Sequence, residues 1–377
     1  MNREQNPIRT KLPARGMLCE AELRNISSAE SKAMRRRIGK VDGEGGKDTD
    51  LMRLLRSLLV VVIITCAACA AREWNLVRAG TVSGESDSAS AFLGRWDLTL
   101  KAPDREWPSW LELREEGGQL KADMVGRWGN ARPLPKASVA NGHVTFVSPK
   151  EEEDAKADMV FDGTLKGNEL SGAVNGPDGK TWTWTGRRAP DLKRTGTPKW
   201  GKPIPLFNGK DLTGWTMSDP KATKVWKVED GSMVTPGNGP ELINDKKFED
   251  FKLHVEFNCA ENSNSGIYLR GRYEVQVETD SIEEPPSHHM GGVYGFLAPS
   301  PELPRKPGTW QTYDITLIGR RITLVQNGQT IIDNKEIPGI TGGALDSHEE
   351  LPGPIYLQGS EKGRVAYRSI VLTPAVK

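Results

Sequence analysis

The residues best suited to chemistry lie in three short segments of the C-terminal half, FKLHVEFN (251–258), GIYLR (266–270) and YEVQVE (273–278). A β-strand turns successive side chains to opposite faces. Alternation therefore sends Phe251, Leu253, Val255 and Phe257 to one face and Lys252, His254, Glu256 and Asn258 to the other. The same rule turns Ile267 and Leu269 inward and Tyr268 and Arg270 outward; Tyr273, Val275 and Val277 go inward, leaving Glu274, Gln276 and Glu278 in an outward row. Sequential strands with short connections are usually sheet neighbours. One outer face is thus expected to gather His254, Glu256, Tyr268, Arg270, Glu274, Gln276 and Glu278. Carboxylates, a guanidinium, an amide and aromatic rings on one face suit a sugar-binding cleft, where a few placed polar groups fix orientation. The plainer reading makes Arg270 and Glu274 a structural ion pair on a solvated sheet.

Further candidates sit in loops. The segment EEPPSHHMGGVYG (283–295) carries His288 and His289. Adjacent histidines point in different directions and are not by themselves a zinc motif, so His289 stands as an acid, a base, a metal ligand or a solvated side chain. Asp346 and His348 in TGGALDSHEE (341–350) are candidate lid residues, and Gln358 follows Ile355 and Leu357 onto a polar face. The lone aromatics Trp215, Trp226 and Trp310 read as core rather than as sugar platforms. No Gly-rich dinucleotide fingerprint is present, so no nucleotide cofactor is expected; a divalent metal is left open. A net charge of +1 without a basic stripe sets nucleic acid aside.

The elements that must position these residues are all β. From Leu206 onward short apolar-alternating runs recur, with Asn327-Gly328 the strongest hairpin signal. Some ten strands with long excursions at 280–307 and 337–354 predict a jelly-roll β-sandwich over 204–377. Residues 91–190 repeat strand signals around Gly117-Gly118, Asn141-Gly142, Gly167-Asn168 and Asp178-Gly179. They predict a small antiparallel β-barrel or sandwich, loosely lipocalin-like, either filled or holding a ligand cavity. Residues 191–203 read as a linker crossed by few contacts. Upstream, MRLLRSLLVVVIITCAACA (52–70) has the charged, apolar and small-residue regions of a secretory signal. Residues 1–51 then read as an over-extended gene start or a disordered tail, and 71–90 as a tether. This predicts an exported bacterial protein (periplasmic, envelope-associated or extracellular), with a lipid anchor at Cys69 as the second option. N-terminal sequencing of native protein, starting near Ala71, is the check. Cys259 is the one cysteine past the signal, so no internal disulfide framework is expected.

Seven segments carry a family resemblance in order: LFNGKDLTGW (206–215), WKVEDGSM (226–233), FEDFKLHVEF (248–257), NSGIYLRGRYEVQVE (264–278), GGVYGF (291–296), TWQTYDITLIGRRITLVQNG (309–328) and GPIYLQG (353–359). Residues 204–377 resemble the 3-keto-disaccharide hydrolase domain family. The resemblance implies a concanavalin-like jelly roll acting on glucosides whose C3 hydroxyl is oxidised to a ketone, by hydrolysis or by elimination and hydration. A 3-keto-sugar is then the substrate, and a sugar C3-dehydrogenase must act upstream. A C3 ketone acidifies the C2 hydrogen, so a base there lets the C1 substituent leave. Glu274 is the expected base, Arg270 the enolate partner and Gln276 an orienting amide. Gln276 between Glu274 and Glu278 departs from the acidic triplet of retaining jelly-roll glucanases and withdraws support from double displacement. A second departure is LQGSEKGRV, where Glu361 matches an Asp of relatives and Lys362 stands in place of their His. The competing function is a non-catalytic carbohydrate-binding or envelope-scaffold protein on the same sandwich.

Overall fold

Strand alternation with glycine-bearing turns builds nearly everything between Gly94 and Val376. The computed structural model describes residues 89–235, 237–280, 283–360 and 362–376. The signal segment, the tether up to residue 88, the N-terminal extension and Glu361 lie outside the described residues.

The first module is one antiparallel sheet of nine strands running in chain order from Gly94–Lys101 to Thr181–Arg188, with the first strand pairing both the second and the last. The sheet's two ends are Arg132–Pro133 and Lys136–Ala140, consecutive in the chain, and Leu134 N–H, donating to Ala122 O, extends the pairing of Arg132–Pro133 with Gln119–Val125. Inside, Phe146 stacks on Phe161 at 4.6 Å and Trp184 meets both edge-on. Trp96, Leu98, Leu111 and Met124 close the same cluster. The interior is packed with side chains, the filled form of the two expected.

The second module is a sandwich. One sheet runs from Lys227–Glu229 through Ser232–Thr235, Val365–Val376, Phe251–Cys259, Gln311–Ile318 and Arg321–Gln326 to Gln329–Glu336. The other orders Trp215–Met217, Leu242–Phe248, Gly353–Leu357, Asn264–Leu269 and Tyr273–Glu278. Their inner faces meet in one apolar cluster that includes Phe251, Val255, Ile267, Val275, Tyr313 and Ile355. Asn327 and Gly328 both take positive φ between the paired residues Gln326 and Gln329, the left-handed pair that a two-residue hairpin requires. Cys259 is buried, and burial pushes its thiol up.

Two sequence expectations need correction here. The strand Phe251–Cys259 is not a neighbour of Asn264–Leu269 but belongs to the opposite sheet. The short connection at 260–263 crosses between layers, so His254 and Glu256 face outward from the far side. There His254 Nδ1 lies 2.7 Å from Asp314 and Glu256 accepts from Arg368 Nε at 2.7 Å. The two modules also share a core: Trp110 and Val125 of the first belong to the sandwich's cluster, and Trp110 meets Phe296 edge-on at 5.3 Å. Polar contacts add to it, with Arg95 bonded to Glu336 at 2.8 Å and Thr99 to Ser347 at 2.7 Å. Contacts between the modules are therefore many rather than few.

Candidate functional site

The outermost strand of the five-stranded sheet, Tyr273–Glu278, presents Glu274 and Gln276 on the side away from the core, as alternation requires. That side is not open sheet. Its edge is bonded by the first excursion, with Gln276 N–H donating to Gly292 O at 2.9 Å and Gly291 N–H to Gln276 O at 3.0 Å. The second excursion covers it from above: Glu274 N–H donates to Thr341 Oγ1 at 3.0 Å. The result is a cleft of about 170 Å³ lined by Tyr268, Glu274, Gln276, Asn264 and Gln358 of the sandwich strands and their flanks. Glu284, Tyr294, Gly342 and Gly343 of the excursions line it too, as do Trp128 and Gly129 of the first module.

Glu274 is 3% exposed. Its Oε2 accepts from the Tyr268 hydroxyl at 2.9 Å, a hydroxyl that also lies 2.7 Å from Gly342 O. The Tyr268 ring stacks on Tyr356 at 4.2 Å. Burial, and then the Glu274 carboxylate, push the Tyr268 phenol well above its ordinary value, so Tyr268 stays protonated and donates. Gly266, diagonal to Glu274 across the strand pair, leaves the carboxylate its room: a Cβ there would lie 2.1 Å from Glu274 Oε1. Gln276 is equally buried, and its side-chain oxygen has no hydrogen-bond partner among the described residues. An unsatisfied buried acceptor is rare, and this one lines a cavity.

The other sequence-chosen residues distribute as follows. Tyr268 and Gln358 join Glu274 and Gln276 in the cleft. Glu278 faces the same way one register further on, outside the lining, and is taken up by Met290 N–H at 2.8 Å and Arg305 at 3.2 Å. Burial first, then its hydrogen bond with Asp280, push Glu278 up to about 7 against the pull of Arg305. Arg270 is not beside Glu274. It occupies the hairpin turn with φ +54 and donates to Gly319 O and Glu349 O in the interior. Alternation holds only while the backbone is extended, and a left-handed residue turns its side chain out of register. His289 also stands apart from the cleft lining, its Nδ1 3.0 Å from Glu302 and its Nε2 2.9 Å from Glu284 O. Asp346 ties its excursion to Arg272 of the sandwich at 2.7 Å, and His348 meets Arg187 of the first module at 3.0 Å. Lys362 is exposed, pairs with Asp280 at 3.6 Å and accepts from Asn264 N–H through its carbonyl.

Sequence reasoning missed Asn264, Glu284, Tyr294 and the contribution of Trp128. Glu284 carried a signal, since it precedes the Pro-Pro that bends the loop back, and His288 Nδ1 sits 2.8 Å from its Oε2 while the His288 ring lies 4.4 Å from that of Tyr294. Trp128 carried none, because nothing in the chain tells which loop of one module reaches the other. Among the described residues no three His, Cys, Asp or Glu side chains converge as a metal site would require.

Residues 202–373 match the family model described as a 3-keto-alpha-glucoside-1,2-lyase-like domain. A 3-keto-disaccharide hydrolase of Bacteroides thetaiotaomicron is 28% identical over 87 residues, covering 20% of this chain and 30% of that protein. The match thus spans less than a third of the curated relative's length. Among solved structures, a candidate glycosyl hydrolase of Parabacteroides distasonis is 26% identical with a TM-score of 0.38, over 48% of this chain and 92% of the other. The endo-beta-1,3(4)-glucanase SCLam is 8% identical at a TM-score of 0.30, over 49% and 95%. Over residues 202–373 the sandwich, with its seven ordered segments, thus matches the 3-keto-alpha-glucoside-1,2-lyase-like domain family.

Proposed function

We propose that the protein is a glycoside-cleaving enzyme that takes a 3-keto-glucoside in this cleft and breaks it through C2. The observation that carries the reading is the pairing, on one strand face, of a buried carboxylate with an unpartnered buried amide oxygen. Gln276 Oε1 is an acceptor that a sugar hydroxyl satisfies, and Glu274 beside it is a base held at a fixed angle by Tyr268. Removal of the C2 proton by Glu274 sends its electron pair into the C1–C2 bond as the C1–O bond breaks. The leaving oxygen takes a proton, for which Glu284 is the second carboxylate in the cleft, with His288 behind it. The product is a 2-hydroxy enone; water adding at C1 with return of a proton to C2 completes a net hydrolysis. With Arg270 elsewhere, charge on the C3 oxygen falls to neutral donors, the amides of Gln276, Gln358 and Asn264 and the Tyr294 hydroxyl.

Replacing Glu274 by Gln keeps size and removes the basic oxygen. Turnover of 3-keto-trehalose or 3-keto-sucrose is expected to drop by about 10²–10⁴. With the unsubstituted chain in deuterated water, the released keto-sugar should carry deuterium at C2. Near-normal turnover in the variant, or protium retained at C2, overturns the base assignment.

A further inference from the structure

The family match begins at residue 202, yet the cleft wall does not stop there. Trp128 and Gly129 complete it from the loop between the strands Gln119–Val125 and Arg132–Pro133. That loop is fixed from behind. Arg127 and Arg132 both reach Glu153, a fully buried carboxylate, at 3.3 and 2.8 Å, and Ser148 donates to it at 2.8 Å. The Arg127 guanidinium stacks 3.9 Å over the Trp128 ring, and Trp107 meets that ring edge-on at 5.8 Å. The loop is also fixed in front. A Cβ on Gly342 would lie 2.1 Å from Gly129 O, and one on Gly295 would lie 2.6 Å from Asn130 Cβ. Both excursions that wall the cleft accept the loop only because they carry glycine at those points.

So firm a mounting holds a ring that is still 39% exposed, whereas Tyr268, Glu274 and Gln276 are nearly sealed. The cavity, about 170 Å³, is smaller than the ~300–1,000 Å³ that encloses a drug-sized ligand. It can enclose one sugar ring and must leave a second at the mouth. A flat apolar face held rigid beside a polar pocket costs little conformational entropy when it takes a ring. We infer that Trp128 is the stacking platform for the second ring of a disaccharide, so that the first module sets the preference for disaccharides over simple glucosides. The inference rests on the proposed function and deepens it.

The test uses the full chain, with Trp128→Ala and Trp128→Phe, on 3-keto-trehalose and methyl 3-keto-α-glucoside. The ratio of kcat/KM, disaccharide over methyl glucoside, is expected to fall about tenfold in Trp128→Ala, the scale of a buried aromatic contact. The loss should appear in KM, and Trp128→Phe should restore most of it. An unchanged ratio, including equal losses on both substrates, overturns the platform while leaving the chemistry standing. A second arm needs no turnover: tryptophan fluorescence titrated with 3-keto-trehalose in the Glu274→Gln background, or in the unsubstituted chain if that cleaves neither substrate. Weaker disaccharide binding in Trp128→Ala supports the platform whatever becomes of the proposed chemistry; equal binding, or none with either ring, overturns it.

Discussion

At the scale of single residues, the cleft depends on one missing side chain as much as on those present. Gly266 has no strained backbone; it is glycine because Glu274 Oε1 occupies the space a Cβ would take. Gly266→Ala must therefore displace the carboxylate, and overpacking of this kind costs about 1–3 kcal/mol. Activity is expected to fall much further than the melting temperature, since a misplacement of the base by an ångström alone can cost about 10²-fold. Turnover and thermal unfolding measured on the same preparation check this; a large loss of melting temperature with proportionate activity would show that the position serves packing alone. The floor residues Glu274, Gln276 and Tyr268 were legible in the sequence because extended backbone alternates strictly. Arg270 was not, because the same count was carried one residue too far, into a turn whose positive φ ended the alternation.

At the scale of elements, the second excursion works at two places at once. Thr341 and Gly342 hold the cleft, while Glu349 is buried at the junction, accepting from Tyr273 at 2.6 Å and Arg320 at 3.1 Å. Asp97 of the first module faces Glu349, and burial first, then Glu349's charge and hydrogen bond, push Asp97 up to about 10. Folded, Asp97 keeps a proton that the unfolded chain releases above about 3.8. Its contribution to stability is thus whole below that pH and is lost as pH rises toward about 10. Asp97→Asn keeps a donor for Glu349 and should flatten the decline of melting temperature across that window, leaving the variant the more stable at alkaline pH. Equal slopes for both proteins would refute the shared proton. Turn chemistry and strand period made most elements readable, down to the Asn327-Gly328 hairpin. Which sheet each strand enters was not, since the crossing at 260–263 is as short as a hairpin and the choice is made by packing across the sandwich.

At the scale of the whole molecule, the strand Lys199–Trp200 pairs with Val376 and Ala375, and Gly319 closes on Leu192 O with no room for a Cβ. Even the segment read as a linker is thus built into the body. Residues 204–377 alone would leave bare the surface that Trp110 and Val125 cover. That fragment is expected to melt below the 91–377 fragment and to bind ANS; a cooperative transition at the same temperature would show the junction to be dispensable. Gln276 donates to Gly292 and accepts from Gly291 N–H and, across the sandwich, from the Tyr313 hydroxyl at 2.8 Å, while Glu274 N–H is bonded to Thr341. Backbone bound from so many directions opens only with the body it belongs to. In hydrogen–deuterium exchange the amides of Glu274 and Gln276 should be among the slowest of the chain, although they lie on the sheet's last strand. The floor of the cleft would then stand still through every turnover, leaving to the side chains at its mouth whatever motion admits a sugar and lets it go.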